Sequence, residues 1–455
     1  MLKFGHVVRA TDAIERGLPQ MPVSRRQFLA GATGVAASTW LTGCGGFSKS
    51  SSGTTTSKDT VTFMTWASDA EKSAFKKLAT AFEAAHKGVT VDLQVVPYAE
   101  MFTNVDTQLQ SNTAPDIFRV DYPTMGLYSS TDQLLDLSSY LDSSMTDDFI
   151  PALYQAVQFD GKPFGVPHQT DTTCIVYQPK MFEAAGITSV PDSLDNAWSW
   201  EEFTDVADKL KASLGSDVSP FAYDWQQYGA YRWLTWLFEA GGRLLEDDLT
   251  TAAIVGAEGT KALEFTRSFF ENEWVPKNTS VKGATYPDSV FISQKIAMSF
   301  VGDFLLPGLE DGIKDKFDWQ VTYQPVDVRA SSDLGGNALV ATQQASNPDL
   351  AAEFLQFMVS SDNMAAFCKE AVELPTLQSL VGEKLDYATR PDLMPAFAEQ
   401  ATTMTAEDVA QVTVPFAAQV NNVLLEQLEQ CFTSGQSIDD TLSNIADGVE
   451  KAAQG

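Results

Sequence analysis

"VTFMTWASDAEKSAFKKLATAFEAAHKGVTVDLQVV", residues 61–96, is the stretch whose reading decides the fold class. Residues 61–66 are β-branched and aromatic, which predicts a strand. Ser68 followed three residues later by Glu71 is a capping-box signature, so a helix starts at once. Phe75, Leu78, Ala79 and Phe82 then fall on one helical face. Residues 89–96 alternate with period two, a second strand. A helical stretch over 100–110 follows, then "APDIFRVDYP" (114–123), a strand entered through Pro115. Strand, helix, strand, helix, strand implies parallel pairing and an α/β layer.

The later chain repeats this logic. "TTCIVYQ" (172–178) reads as a strand, followed by a helix over 179–185 that Gly186 stops. "SWEEFTDVADKLKAS" (199–213) is a helix with Ser199 as N-cap and Glu202 at the capping-box position. "YRWLTWLFEAGG" (231–242) predicts an amphipathic helix ended by its glycine pair. "KIAMSFVG" (295–302) and "LGGNALVATQ" (334–343) predict strands, and 347–371 a helical stretch with Pro348 in its first turn. The last 45 residues read as helical around Gln436, and no tandem repeat is present.

Upstream, "SRRQFLAGATGVAASTWLTGCGG" (24–46) has adjacent arginines, a weakly apolar run and small residues before one cysteine. That pattern describes an export signal, and the run is too short and weakly apolar for a stable membrane span. Arg25, Arg26, Phe28 and Leu29 resemble a twin-arginine signal. Leu41 to Cys44 resembles a bacterial lipobox, which implies removal of residues 1–43 and lipidation of Cys44. Residues 1–20 do not resemble a signal, so translation is expected to begin at Met21. Residues 44–59, rich in Gly, Ser and Thr, form a flexible tether by composition. What remains is long for one core, and two lobes are the natural expectation.

The chain has 30 basic and 60 acidic residues, a net charge of −30. Such a surface repels nucleic acid and anionic membranes, while 44% hydrophobic residues argue against disorder. Beyond Cys44 the cysteines are Cys174, Cys368 and Cys431. A Cys368–Cys431 bridge and three small buried thiols are both open readings. No spacing suggests a metal site, and no cofactor is expected.

Several segments in order resemble one family. "DGKPFGVPHQTDTTCIVYQPKMFEAAGI" (160–187), "APDIFRVD", "QLLDLSSYL" (133–141), "AWSWEEF" (197–203) and "FISQKIAMSFVGDF" (291–304) are similar to segments of carbohydrate-binding extracellular solute-binding proteins of bacterial ABC importers, the family that includes maltose-binding protein. The resemblance covers nearly all of 60–455. It implies a two-lobed periplasmic-binding-protein-like fold of type II, with discontinuous α/β lobes joined by a multi-crossing hinge. The crossings are expected near 168–173, 333–337 and 403–414. The implied lobes are 60–169 with 336–402, and 170–335 with 403–455. The implied partners are a small-molecule carbohydrate and the importer's two permease subunits, with a lipid anchor to the outer face of the membrane and the chain working as a monomer.

Ligands in open α/β sheets bind at the carboxyl ends of strands, and that rule alone selects positions. Trp66 ends the first strand, where its indole face suits a sugar's C–H face, unless it is a core tryptophan. Asp121 and Tyr122 end the third; a carboxylate accepts paired hydroxyls, though Asp121 could instead cap a helix or pair with Arg119. Asp171, with Gln169 and Thr170, lies at the first implied crossing, where His168 reads as a hydrogen-bonded hinge residue. Trp225 and Tyr228, in "AYDWQQYGAYRW" (222–233), precede a helix and offer a second stacking surface; Trp233 and Trp236 read as core. Asp303 and Phe304 follow Gly302, with Phe304 where the resemblance implies Trp. Gly336 and Asn337, behind Gly335, admit close backbone approach to a ligand or form a tight turn.

A surface glycoside-active enzyme is the catalytic alternative, needing two carboxylates at a set separation. No pair is singled out, and neither a GxSxG nor a phosphate-cradling motif occurs. Two histidines beyond residue 43 leave little room for histidine-based chemistry. Clustered tyrosines for a ferric ion are lacking. A polyamine receptor remains open, because carboxylates and aromatic rings serve a polycation as well as a sugar.

Overall fold

The computed structural model describes residues 58–226 and 228–455. Cys44, the signal segment and nearly all of the tether lie outside the described residues. The first strands form as the opening stretch dictates. Strands β1 (Thr60–Thr65), β2 (Thr90–Val95) and β3 (Ile117–Asp121) are parallel neighbours in the order β2-β1-β3. Helix α1 (Asp69–Ala85) starts at a complete capping box between Ser68 and Glu71 and buries Phe75, Leu78, Ala79 and Phe82. Helix α2 (Tyr98–Ser111) links β2 to β3. Helix α3 (Tyr122–Ser129) begins directly after β3, so Tyr122 opens a helix rather than ending a strand, with Pro123 in the first turn.

A two-stranded hairpin of β4 (Gln158–Phe159) and β5 (Lys162–Pro163) precedes β6 (Val166–Gln169). The first sheet is completed by β11 (Asn337–Ala341), antiparallel to both β3 and β6, giving the order β2-β1-β3-β11-β6. The second sheet has the order β10-β7-β9-β8. It comprises β7 (Thr173–Tyr177), β8 (Ser219–Ala222), β9 (Ile296–Gly302) and β10 (Gln320–Thr322). Here β8 and β9 are parallel, and β7 runs antiparallel to β9 and β10.

The chain passes between the sheets first at 170–172, between β6 and β7, and again at 323–336, between β10 and β11. A third passage follows helix Ser361–Ala371, which packs on α1 and β6, and precedes helix Met394–Ala401, which packs on β7. Leu374, Leu393, Met394 and Phe397 share a core cluster with Cys174 and Val176. The chain therefore reaches the second sheet before residue 394, ahead of the expected boundary at 403.

Two helical expectations need correction. The stretch 347–371 is two helices, Pro348–Met358 and Ser361–Ala371, separated where Ser360 turns extended. Residues 231–242 give only a 3-10 turn at Ala230–Trp233 and a short helix at Leu234–Glu239. That helix is buried all round rather than amphipathic. Cys174, Cys368 and Cys431 are free buried thiols, so the Cys368–Cys431 bridge is absent. Among the described residues no helix is long and apolar enough to cross a membrane.

Candidate functional site

Register fixes which strand ends meet. Asn337 at the start of β11 pairs with Asp121 at the end of β3 and with Gln169 at the end of β6. Trp66 follows β1 on the same sheet end. In the second sheet, Thr173 at the start of β7 pairs with Gly302 at the end of β9, and the residues after β8 emerge at that end. The strand ends of both sheets thus come together where the first passage runs.

Aromatic side chains line this meeting place. Tyr98, from the start of α2, lies 4.9 Å from Trp66 and donates to Asp121 Oδ2 at 2.7 Å. Its ring meets Tyr228, from the loop after β8, edge-on at 5.3 Å. Burial and the neighbouring Asp121 raise the Tyr98 phenol well above its usual range, with Tyr286 and Tyr231 also contributing. Tyr286 in turn lies 5.4 Å from Phe304. Tyr98, packed with Trp66 and Phe102 on one side, therefore meets Tyr228 on the other, with Tyr231 and Tyr286 close enough to act on its phenol and Phe304 next to Tyr286. Such rings present slightly electronegative faces to C–H groups or cations.

Charge is concentrated at the same ends. Arg119 on β3 is buried, donates to the Trp66 carbonyl at 3.1 Å, and stacks its guanidinium 4.6 Å from the Trp66 ring centroid. It pairs with Glu71 at 2.6 Å, so the Arg119 partnership weighed for Asp121 goes to Glu71 instead. Arg232 lies on the second side, donating to Asp333 at 3.0 Å with Asp224 at 3.5 Å. Asp333 also accepts from the Thr173 N–H at 3.1 Å, tying Arg232 to the first passage. Burial, opposed by Arg232 and assisted by Asp333, lifts Asp171 and Asp224 each to about 7.

Unmatched polar atoms gather here as well. Both amide atoms of buried Gln169, Asp171 Oδ1, both Asp224 oxygens and Asn337 Oδ1 have no hydrogen-bond partner. Buried polar groups are normally satisfied, so this concentration singles out the strand ends as the candidate site. An apolar cavity of about 780 Å³ borders the same passages and shares Asp171 and Asp333 with the site. Its lining is chiefly aliphatic, including Leu153, Leu374, Leu385 and Met394. It has neither the facing rings nor the dense polar set of the strand ends.

The nominated residues separate on this geometry. Trp66, Asp121, Asp171, Tyr228, Phe304 and Asn337 come together at the strand ends. Tyr122 is fully buried and donates to the Gln169 carbonyl at 3.1 Å, which leaves no face open. Trp225 is buried against Tyr223 and Phe432 and likewise presents no ring face. Trp233 and Trp236 are core. Asp303 accepts from the Thr172 N–H at 3.1 Å and holds the first passage. Gly335 and Gly336 admit that passage, not an open space. A Cβ on Gly335 would stand 1.8 Å from Asp171 Oδ1, and one on Gly336 2.4 Å from Thr170 Cα. His168 is not hydrogen-bonded: its ring lies among Phe75 and Phe367 with both nitrogens unpartnered.

Tyr98, Asp224, Tyr231, Arg232, Tyr286 and Asp333 were not nominated. Asp224, Tyr231 and Arg232 lie inside the aromatic run at 222–233, and the strand-end rule would have found Asp224 had β8 been recognised. Tyr98 and Tyr286 carry no local signal; only tertiary packing brings them to the site.

Residues 66–365 match the family described as bacterial extracellular solute-binding protein. A diacetylchitobiose-binding protein of Streptomyces coelicolor is 23% identical over 74% of this chain and 77% of its own length. A lactose-binding protein of Rhizobium radiobacter is 24% identical over 66% and 71%. Among solved structures, the GacH receptor of Streptomyces glaucescens, determined unliganded and with acarbose, superposes with a TM-score of 0.74 at 20% identity. It covers 87% of this chain and 98% of that one. A Thermotoga lettingae solute-binding protein bound with α-D-tagatose also scores 0.74, at 21% identity, over 87% and 100%. The superpositions extend the two sheets into the two-lobed α/β fold of periplasmic binding proteins.

Proposed function

Since this chain belongs to the bacterial extracellular solute-binding proteins, we propose that it captures a mono- or oligosaccharide outside the membrane and delivers it to an ABC importer without chemical change. The observation that carries this reading is the meeting of rings from the two sides, Tyr98 backed by Trp66 against Tyr228, beside buried polar side chains that lack partners. Rings take the C–H faces of a pyranose, and Asp121, Gln169, Asp171 and Asn337 take its hydroxyls. The relatives named for lactose and diacetylchitobiose support a carbohydrate over other solutes.

The lobes that close on the sugar are read as 60–169 with 336–371, and 170–335 with most of the chain from 394 onward, of which helix Ala406–Val412 packs back on Pro151–Ala156 of the first lobe. Residues 372–393 make the third passage. Cys44 is read as the lipidated residue that holds the receptor on the outer face of the cell membrane, with the following stretch as its tether. The importer's permease subunits are the partners, and the receptor works as a monomer.

Titrating the purified protein's tryptophan fluorescence against mono- and oligosaccharides tests the ligand class. One saccharide should give a saturable change; silence across the panel, with a response to putrescine alone, would replace this reading by polyamine capture. For the anchor, Cys44→Ser should move the protein from the detergent phase to the aqueous phase in a partitioning assay. Unchanged partitioning would remove the lipid from the proposal.

A further inference from the structure

We infer that the saccharide selected by this cleft carries a protonated amine, received by Asp224 together with Asp171; the inference rests on the receptor reading above. The ionic balance at the strand ends leads there. Arg119 is taken by Glu71 at 2.6 Å, with Glu373 at 3.8 Å. Arg232 is taken by Asp333 at 3.0 Å. Each cation thus already has its carboxylate, and Asp121, Asp171, Asp224 and Asp303 remain; Asp303 is engaged by the Thr172 N–H in holding the first passage. Asp121 is engaged by neutral donors, the Tyr98 phenol and Thr124. Asp224 is fully buried, and neither of its oxygens has a hydrogen-bond donor. Its nearest cation, Arg232 Nε at 3.5 Å, is the one Asp333 holds more closely.

Sugar hydroxyls would satisfy the hydrogen bonds of these carboxylates but not their charge. A buried carboxylate is stable only when paired or neutralised. That both Asp171 and Asp224 are pushed to about 7, despite Arg232 nearby, is consistent with carboxylates short of positive charge. An ammonium from the ligand would compensate them. The surrounding rings suit such a group, since the faces of Tyr231 and Tyr286 already hold the Arg232 guanidinium at 5.1 and 5.9 Å. The neutral unpartnered groups distinguish an amino sugar from a bare polyamine. Both amide atoms of Gln169 and Asn337 Oδ1 are buried without partners. They offer a donor and acceptors to hydroxyls, which an alkyl polyamine lacks.

Calorimetry with matched pairs tests the inference: glucosamine against glucose, galactosamine against galactose, and free-amine chito-oligosaccharides against their acetylated forms. The amine-bearing member of the bound pair should be tighter by about tenfold, the gain of a charge-assisted bond over a neutral one. Asp224→Asn should abolish that preference, bringing the amine and the neutral sugar to within about twofold of each other in affinity, with an unchanged thermal melt confirming the fold. Asp171→Asn gives a second, separate reading if the first variant does not fold. A neutral sugar bound as tightly as its amine would overturn the inference and leave the receptor standing. Putrescine bound in place of every sugar, or silence to all saccharides, would remove both.

Discussion

An imidazole buried without a hydrogen bond is held neutral, and His168 is in that position among Phe75 and Phe367. Burial, reinforced by Arg119, lowers its pKa from 6.5 to about 3. The unfolded chain takes up the proton below about pH 6.5 while the folded chain refuses it. Stability from this group is therefore lost as the pH falls from 6.5 towards 3. Asp171 and Asp224 act in the opposite sense, because their raised values favour proton uptake by the folded state. Comparison with His168→Phe separates the two effects: the ring stack remains while the titration disappears. We predict that acidification to pH 5 costs the wild type about 2 kcal/mol more than this variant. Urea midpoints at pH 7 and pH 5 measure it, and equal losses would show that His168 finds a proton partner. Tyr228 behaves differently. At 40% exposure, its truncation to alanine should leave the melting temperature nearly unchanged. Loss of a stacked ring contact worth about 1 kcal/mol should weaken saccharide binding several-fold. A variant with unchanged affinity would take Tyr228 out of the site.

At the scale of elements, the passages between the sheets are the tightest construction in the molecule. Thr170 exchanges backbone hydrogen bonds with Leu374 and donates its hydroxyl to the Gly335 carbonyl. All three passages therefore touch at one residue. Gly336 has φ +98° and would place a Cβ against Thr170 Cα, whereas Gly382 at φ +83° has nothing within 4 Å. Both suffer the left-handed penalty as alanine, about 1–2 kcal/mol, and only Gly336 adds a backbone collision. We predict that Gly336→Ala destabilises the protein more than Gly382→Ala, by at least about 1 kcal/mol, read from urea midpoints. Equal midpoints would mean that the passages separate without cost. The sequence signals worked where structure is local. Ser68 with Glu71 and Ser199 with Glu202 both close as capping boxes, since both bonding partners lie within four residues. They failed where burial overrides local pattern. Leu234–Glu239 carries a helical period yet is buried on every side, and Tyr122 and Trp225 differ from the exposed rings only in what the rest of the chain packs against them. Strand β8, four residues containing Pro220, is too short to announce itself, and with it went the placement of Asp224.

At the scale of the whole molecule, the proposed ligand would draw contacts from both sheets at once, because Trp66, Tyr98 and Asp121 belong to one and Asp224, Tyr228 and Tyr286 to the other. Few covalent segments join those sheets, and the first is only residues 170–172. Tyr98 and Tyr228 meet across the site with 5.3 Å between ring centroids, so a saccharide of pyranose thickness cannot enter between them unless the sheets first move apart. Contacts to both sides then exist only in the closed arrangement, and ligand shifts the population towards it. We predict that the ligand-free protein in solution samples a more open arrangement, and that saturating saccharide lowers its radius of gyration in small-angle X-ray scattering. Asp333 provides the internal control. Its carboxylate joins Arg232 at the site to the Thr173 N–H at the start of β7, directly after the first passage. Asp333→Asn weakens that tie without changing side-chain volume, so it should reduce the compaction at equal saturation more than it reduces affinity. A radius of gyration that does not respond to saturating ligand would mean that the sheets are held at a fixed angle. The site would then have to fill through loop motion around Tyr228 alone.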